Sequence, residues 1–361
     1  MSVAANNNSK QVQYYNFGHG SRKHLKDLLA DKPGYHLYVI DHYFEDKKDI
    51  LDLPIRNEDD VIWLDTQQEP KTVQIDALLQ RVLLTNDHNT PSAIMGVGGG
   101  SSLDTAKALA NLFTNDGKAE NYQGWDLVKN PGVYKVGIPT ISGTGAESSR
   151  TCVMTNVRTG LKLGMNSDFT MYDQLILDPD LTATVPRDQY FYTGMDSYIH
   201  CIESLNGSHR NAIGDAFSEE TLKLCRDAFL NGDMQTEENR GKLMVASYLG
   251  GCAIANSYVG VIHPLSAGLS VVLGTHHCLA NCITMMAMEE FYPKEFAEFN
   301  AMAKEQNILI PRGIAADLTD EQYQQLYDST VIHEKPLINA LGEGFKEILT
   351  LEKTTELFKK M

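Results

Sequence analysis

Apolar positions change their period partway along the chain. In the first half, short unbroken apolar runs alternate with stretches of helical spacing. Residues 36–41 (His-Leu-Tyr-Val-Ile-Asp) predict a buried strand ending in an acid, 62–64 a shorter strand, and 93–97 a third. Helical spacing over 74–86 and from Ser102 to Phe113 predicts two helices between and after them. Residues 133–139 and 174–177 complete the strand set, and 152–165 predict a hairpin around Arg158-Thr159-Gly160. Strands alternating with helices predict a parallel α/β sheet. From about residue 182 the alternation disappears. Helices are predicted over 188–206, 211–230, 236–256, 263–272, 277–292 and 293–306. Residues 320–361 predict a Glu/Lys-rich helix whose charges form a solvated face. Leu181 to Pro186 supplies a linker and a proline helix start. The expected fold class is α/β plus all-α, with an α/β domain over 1–183 and an all-helical domain over 184–361.

Composition narrows the partners. The chain has 361 residues, 42% of them hydrophobic, enough for two buried cores. No run of 18 or more apolar residues exists, so no membrane span is expected. Residues 1–8 lack a basic start and an apolar stretch, so no export signal is read and a cytoplasmic location is expected. The six cysteines form no CxxC pair, which predicts reduced thiols. A net charge of −16 and a pI of about 5.1 speak against nucleic acid or an anionic membrane as partner. A small anionic substrate stays open, since a local basic pocket can sit in an acidic protein.

Chemistry concentrates in two places. In the helical half, Asp196 and His200 are four apart, so on a helix their Cβ atoms lie roughly 5–6 Å apart on one face. With His263 and His277 they offer one oxygen and three nitrogens, a set that suits Zn²⁺ or Fe²⁺ better than Ca²⁺ or Mg²⁺. The pair alone would be weak evidence, because most surface histidines bind nothing. In the first half, Gly98-Gly99-Gly100-Ser101 joins a strand to a helix N-terminus, where bare N–H groups and the helix dipole favour a phosphate. Such turns also form for packing reasons alone. Asp41 ends an earlier strand, where a carboxylate can accept hydrogen bonds from an adenosine ribose or simply cap a turn. Pro139 to Glu147 is a second small-residue loop after a strand, read either as a dinucleotide clasp or as a surface loop. Two such loops and a metal clip make a dinucleotide–metal enzyme the economical reading.

At these residues the chain resembles the iron-containing (group III) alcohol dehydrogenases, over about residues 12–350. The motifs are Gly-Gly-Gly-Ser-Ser-Leu-Asp-Thr-Ala-Lys at 98–107, Pro-Thr-Ile-Ser-Gly-Thr-Gly-Ala-Glu at 139–147, Asp-Ser-Tyr-Ile-His-Cys-Ile-Glu at 196–203, and His263 with His-Cys-Leu-Ala-Asn at 277–281. The resemblance implies a Rossmann-like dinucleotide-binding domain, a helical metal-binding domain and a site in the cleft between them. It implies Asp196, His200, His263 and His277 as ligands of one divalent metal, Zn²⁺ or Fe²⁺. It implies Gly98, Gly99, Gly100, Ser101 and Asp104 at the pyrophosphate of NAD(P), Thr140 and Thr144 on the nicotinamide side, and Lys162 at a ribose. Asp41 stands where NAD-preferring members carry an Asp. A homodimer is a fair expectation for such folds.

Three departures stand out. A second His, often found four residues after the third ligand and credited with proton transfer, is Ala267 here. Cys278 replaces the usual Gly after His277, and Gln68-Glu69-Pro70 replaces a Pro-Asn-Pro turn. His276 becomes the candidate for proton transfer. Residues 142–153, 163–168 and 190–207 further resemble the 3-deoxy-D-manno-octulosonate (Kdo) 8-oxidase type. That type oxidises a terminal hydroxymethyl of a sugar acid used for lipopolysaccharide to an aldehyde, which a PLP-dependent aminotransferase then consumes. Arg150 and Lys162 are candidates for the substrate carboxylate, or are solvated hairpin charges. Glu203, one turn past His200, is placed either to orient a ligand or to make a surface salt bridge. The acceptor is NAD(P)⁺, or O₂ if Fe²⁺ does redox work. The competing readings are a dehydroquinate-synthase-like metal lyase and a non-catalytic metal or nucleotide sensor.

Overall fold

The computed structural model describes residues 9–361, which divide into two compact units, Lys10–Thr184 and Val185–Met361 with Ser9. The first is built on a six-stranded sheet. Its strands are β1 (Tyr14–Phe17), β2 (His36–Asp41), β3 (Asp60–Leu64), β4 (Ala93–Gly98), β6 (Lys135–Pro139) and β9 (Gln174–Leu177). They lie in the order β1-β9-β6-β4-β2-β3, all parallel. β5 (Gly124–Trp125), β7 (Thr151–Asn156) and β8 (Leu161–Asn166) form a separate small sheet in which β7 and β8 are the antiparallel hairpin. Single-turn helices α1 (Leu25–Leu28) and α2 (Lys48–Leu51) and the longer α3 (Thr72–Thr85) and α4 (Gly100–Leu112) connect the strands.

Both faces of the large sheet are covered, which is why β2 reads as an unbroken apolar run rather than an alternation. Leu37, Val39 and Ile94 pack with Ile75, Leu79 and Val82 of α3 and Ala106 and Leu109 of α4. The intervening Tyr38, Ile40, Met95 and Val97 pack with Leu25, Phe44, Leu51 and Leu181 on the other face. Tyr172 joins sheet to helix. A Cβ at Gly96 would lie 2.3 Å from its hydroxyl, and one at Gly137 would lie 2.9 Å from its ring. The buried hydroxyl donates to the carbonyl of Leu103 in α4 at 2.8 Å. β2 is followed by β3 on one side, while β4 lies on the other. The order in which strands are added therefore reverses between β2 and β4, and in open α/β sheets ligands bind at the carboxyl ends of the strands beside such a reversal.

The second unit is helical: α5 (Arg187–Asn206), α6 (Ala212–Leu230), α7 (Glu237–Asn256), α8 (Ile262–Leu273), α9 (His277–Met285), α10 (Pro293–Glu305), α11 (Asp320–Val331), α12 (Glu334–Leu341), α13 (Phe345–Ile348) and α14 (Leu351–Lys359). Side-chain caps start several of them: Asn211 for α6, Thr236 for α7, Thr319 for α11 and Thr350 for α14. α5 is buried along nearly all of Tyr190–Ser204. Buried polar groups require partners, so Asp196, His200 and Glu203 on this helix are the informative ones.

Two expected helices are corrected. The one expected over 277–292 stops at Met285, where Met286, Ala287 and Met288 close successive tight turns onto Ile283, Thr284 and Met285. The single helix expected over 320–361 is four shorter ones, broken at Ile332–His333, Gly342–Gly344 and Leu349–Thr350. No helix among the described residues is long and apolar enough to cross a membrane. All six cysteines are buried and unbridged.

Candidate metal centre and dinucleotide turn

α5 carries Asp196 and His200 one turn apart. α8 opens with His263 as its second residue, and α9 opens with His277 as its first. The three helices bring Asp196, His263 and His277 together, with one ligand atom of each within 4.8 Å of the others. Nε2 of His263 lies 3.3 Å from Asp196 Oδ1, and Nε2 of His277 lies 3.6 Å from Oδ2. His200 falls outside that mutual trio, yet its Nε2 is 3.6 Å from Asp196 Oδ1 and its ring stacks on His263 with centroids 4.7 Å apart. Three imidazole nitrogens thus face one fully buried carboxylate.

The electrostatics match. Burial pushes the Asp196 carboxyl up, but His200, His277 and His263 outweigh it and hold the group well below the usual carboxylate range. Burial brings His200 down to about 4 despite Asp196. His263 goes the other way. Burial lowers it, but Glu203 and Asp196 together raise it to about 9. Two carboxylates around three imidazoles attract positive charge, and the donor set of one oxygen and three nitrogens fits a borderline divalent ion.

Two flanking residues complete the centre. Asn281, one turn after His277, donates to Asp196 Oδ1 at 2.7 Å and sits 3.3 Å from Nε2 of both His263 and His277. The sequence motif contains Asn281, but its role appears only when α9 turns it beside its neighbour four residues back. Glu203 is buried rather than forming a surface salt bridge. It accepts from Nδ1 of His263 and from the backbone N–H of Ile262. The Cys278 thiol lies 3.9 Å from Asp196 Oδ2. Ala267 is a buried residue of α8, and His276 is the exposed N-cap of α9.

In the α/β unit, Gly98–Ser101 forms the turn from β4 into α4. Gly98 has φ 147°, and a Cβ there would lie 2.6 Å from Ser102 Oγ and 3.1 Å from Asp41 Cβ. The turn therefore requires glycine for conformation and for space. Gly99, the N-cap of α4, contributes no capping side chain, so the first N–H groups of a 13-residue helix keep no side-chain acceptor there. Thr140 donates its N–H to the Gly98 carbonyl at 3.0 Å, and Thr144 lies against Gly100, 3.5 Å from the position of a Cβ. The two glycine-rich loops are thus adjacent. Among the described residues, the buried hydroxyls of Ser102 and Ser142 have no hydrogen-bond partner. A cavity of about 320 Å³ beside the turn is lined by Leu64, Asp65, Gln68, Pro70, Ser101 and Thr105 among others. A helix start without a side-chain cap, two orphaned hydroxyls and an adjoining cavity fit a dinucleotide phosphate and its neighbouring groups.

The remaining candidates are already engaged. Asp41 caps the turn after β2, accepting from Tyr43 N–H at 3.0 Å and from the Thr66 hydroxyl at 3.1 Å. Lys162 lies 2.6 Å from Glu69. Arg150 is paired with Asp126 and, at 3.1 Å, with Asp168. Asp104 accepts from Val153 N–H at 2.9 Å, and burial raises it to about 6 although Lys107 opposes the shift. Lys107 closes the 98–107 motif, but the motif does not show its role. It is fully buried and donates to the carbonyls of Ser149 at 2.9 Å and Thr151 at 2.8 Å, fastening the end of the 139–149 loop to α4.

Comparison with known proteins places both units. The family model for iron-containing alcohol dehydrogenase matches residues 13–179, and the C-terminal model of the Fe-containing alcohol dehydrogenase family matches 190–328. The chain is 37% identical over 191 residues to sulfoacetaldehyde reductase of Bilophila wadsworthia, which covers 52% of this chain and 49% of that protein. It is 32% identical over 197 residues to NAD-dependent methanol dehydrogenase of Bacillus methanolicus, covering 54% and 51%. In these matches the chain spans about half the length of the curated relatives. The fold superimposes on a 1,3-propanediol oxidoreductase with a TM-score of 0.83 at 20% identity, covering 98% of this chain and 99% of that one. It also superimposes on sulfoacetaldehyde reductase from Bifidobacterium kashiwanohense in complex with NAD⁺, with a TM-score of 0.78 at 22% identity, covering 97% of each. With its sheet order, its helical unit and two successive family models accounted for, the chain belongs to the iron-containing alcohol dehydrogenase family.

Proposed function

We propose that this protein is a metal- and nicotinamide-dependent oxidoreductase that interconverts a primary alcohol and its aldehyde. The observation that carries the reading is the buried Asp196 carboxylate faced by Nε2 of His200, His263 and His277. A divalent ion there supplies Lewis acidity, which eases ionisation of an alcohol and reduction of a carbonyl. A nicotinamide dinucleotide supplies the two-electron acceptor or donor. The protein's own part is positioning. Asp196 contributes the single negative charge among the proposed ligands, so three neutral imidazoles and one carboxylate leave a dication partly uncompensated and still electrophilic. Gly98–Ser101 and the start of α4 receive the pyrophosphate, while Thr140 and Thr144 border the same turn. Ala267 offers no proton-transfer group, so the exposed His276 or solvent carries the alcohol's proton away.

The finer reading of the substrate is a small anionic hydroxymethyl compound, namely Kdo oxidised at C8. Its support is the resemblance of segments 142–153, 163–168 and 190–207 to the Kdo 8-oxidase type. In that setting an aminotransferase consumes the aldehyde. The relative named sulfoacetaldehyde reductase supports the coarser feature, a small anionic aldehyde. The test is metal analysis of the purified chain, then anaerobic incubation of the metal-loaded protein with NAD⁺ and Kdo, followed at 340 nm and by product mass. Parallel assays use NADH with sulfoacetaldehyde. NADH formation with a product two mass units below Kdo supports the full reading. Turnover of sulfoacetaldehyde alone keeps the reaction and replaces the substrate. Metal-loaded protein inert to both, and to simple primary alcohols, refutes it.

A further inference from the structure

Within the metal centre one carboxylate does two things at once. Asp196, His200 and Glu203 stand at positions 0, 4 and 7 along α5 and so share one face of that helix. Glu203 is 1% exposed, and its two oxygens go to the start of α8. Oε1 accepts from the N–H of Ile262, the first residue of α8, whose own N-cap, Val261, supplies no side-chain acceptor. Oε2 bonds Nδ1 of His263, the next residue. The approach is close. A Cβ at Gly260 would lie 3.2 Å from Glu203 Oε1 and 2.8 Å from the Tyr292 hydroxyl.

An ionised carboxylate only accepts hydrogen bonds, so Nδ1 of His263 must carry the proton. In the neutral ring Nε2 then holds the lone pair, and Nε2 is the atom 3.3 Å from Asp196 Oδ1. His200 lacks this device. Its Nδ1 is buried without a hydrogen-bond partner among the described residues.

We infer that Glu203 is a positioning residue of the metal centre: it keeps the His263 proton on Nδ1, reserving Nε2 for the ion, and caps the helix that carries the ring. The inference rests on the metal-dependent reading above. Because one side chain fixes both the ring and the backbone bearing it, loss of the carboxylate loosens a ligand, not merely a helix end. Outer partners of metal-bound histidines typically affect metal affinity by about 10–100-fold.

The test uses the full-length protein stripped of metal and titrated with Co²⁺, with Zn²⁺ competition against a chelator. Glu203→Gln turns one of the two accepting oxygens into an NH2 donor, so one of the two N–H groups loses its acceptor. The expected result is a fall in Co²⁺ affinity of about 10–100-fold, with an altered visible spectrum of the bound cobalt. Should the variant fail to fold, ¹⁵N resonances of His263 in the wild-type zinc form decide the matter. A protonated Nδ1 supports the inference, and a protonated Nε2 overturns it. Wild-type metal binding with equal affinity and spectrum in Glu203→Gln, even alongside a lower melting temperature, reduces Glu203 to a helix cap and overturns this inference alone. A wild-type chain that binds neither metal overturns it together with the reading beneath it.

Discussion

Replacing Lys107 by Met should cost the α/β unit much of its stability, and the cost should grow with pH. The ammonium is fully buried and donates to the carbonyls of Ser149 and Thr151, with the Ser149 hydroxyl at 3.4 Å. Asp104 lies 4.0 Å away. Met fills nearly the same volume, so the loss is polar. A buried acceptor left bare costs about 1–3 kcal/mol, and removing one partner of a buried charge pair costs about 3–5 kcal/mol. These overlap, so about 3–5 kcal/mol is expected in total. For a unit of this size each kcal/mol moves the melting temperature by roughly 2–4 °C, giving a drop of about 6–20 °C. The pH dependence comes from Asp104. Its pKa of about 6, above the ordinary 3.8, means that its contribution is fully present below 3.8 and lost as pH rises through 6. Without the ammonium that loss deepens, so the variant falls further behind wild type at pH 8 than at pH 5. Scanning calorimetry at both pH values measures this. Adding Asp104→Asn should relieve the pH-dependent part. A drop under about 3 °C that is the same at both pH values would show that the ammonium fastens nothing and refute the reasoning.

Other outcomes follow from the same geometry. Gly98→Ala places a Cβ 2.6 Å from Ser102 Oγ at φ 147°, and the combined strain and overpacking should cost about 2–6 kcal/mol. Calorimetry and NADH fluorescence titration should show a lower melting temperature and weaker binding. Zn²⁺ at about 1,000 times its Kd should stabilise the folded chain by about 4 kcal/mol. Asp196→Asn should abolish most of that thermal shift, and an undiminished shift would place the ion elsewhere. Glu298 accepts from Arg226 at 2.7 and 3.0 Å; burial raises its carboxyl, but Arg226 and Tyr198 outweigh that and hold it below 4.5. Its contribution, about 1 kcal/mol for so exposed a pair, is present above pH 4.5 and lost as pH falls through the depressed value. Urea unfolding should therefore separate Glu298→Gln from wild type at pH 7, and the gap should narrow as pH is lowered below 4.5.

What the sequence made legible was whatever depends on neighbours along the chain. β2 shows as an apolar run because both of its faces are covered, and the end of α5 shows at Gly207. Asp196 and His200 show as a pair because one helical turn joins them. β1 carries no strand signal, because it is a four-residue edge strand whose tyrosines and Phe17 are largely exposed, leaving no alternation to read. Partners far apart in sequence were equally hidden. Nothing local to Glu203 announces His263, sixty positions on, and nothing local to Lys162 announces Glu69. The breaks within 320–361 are hidden for a different reason. Helical periodicity continues across them, while Gly342 and the turn at His333 end each helix through backbone geometry.

The phenol of Tyr172, wedged between two strand glycines and tied to Leu103, has an evolutionary consequence. Gly96, Gly137 and Tyr172 cannot vary one at a time. A side chain at Gly96 collides with the phenol hydroxyl and one at Gly137 with the ring, and removing the phenol opens a void and strips a partner from the helix carbonyl. The three positions, 76 apart from first to last in numbering, are therefore coupled through one side chain. A lineage leaving this solution must pass through a less stable intermediate or change strand and ring together.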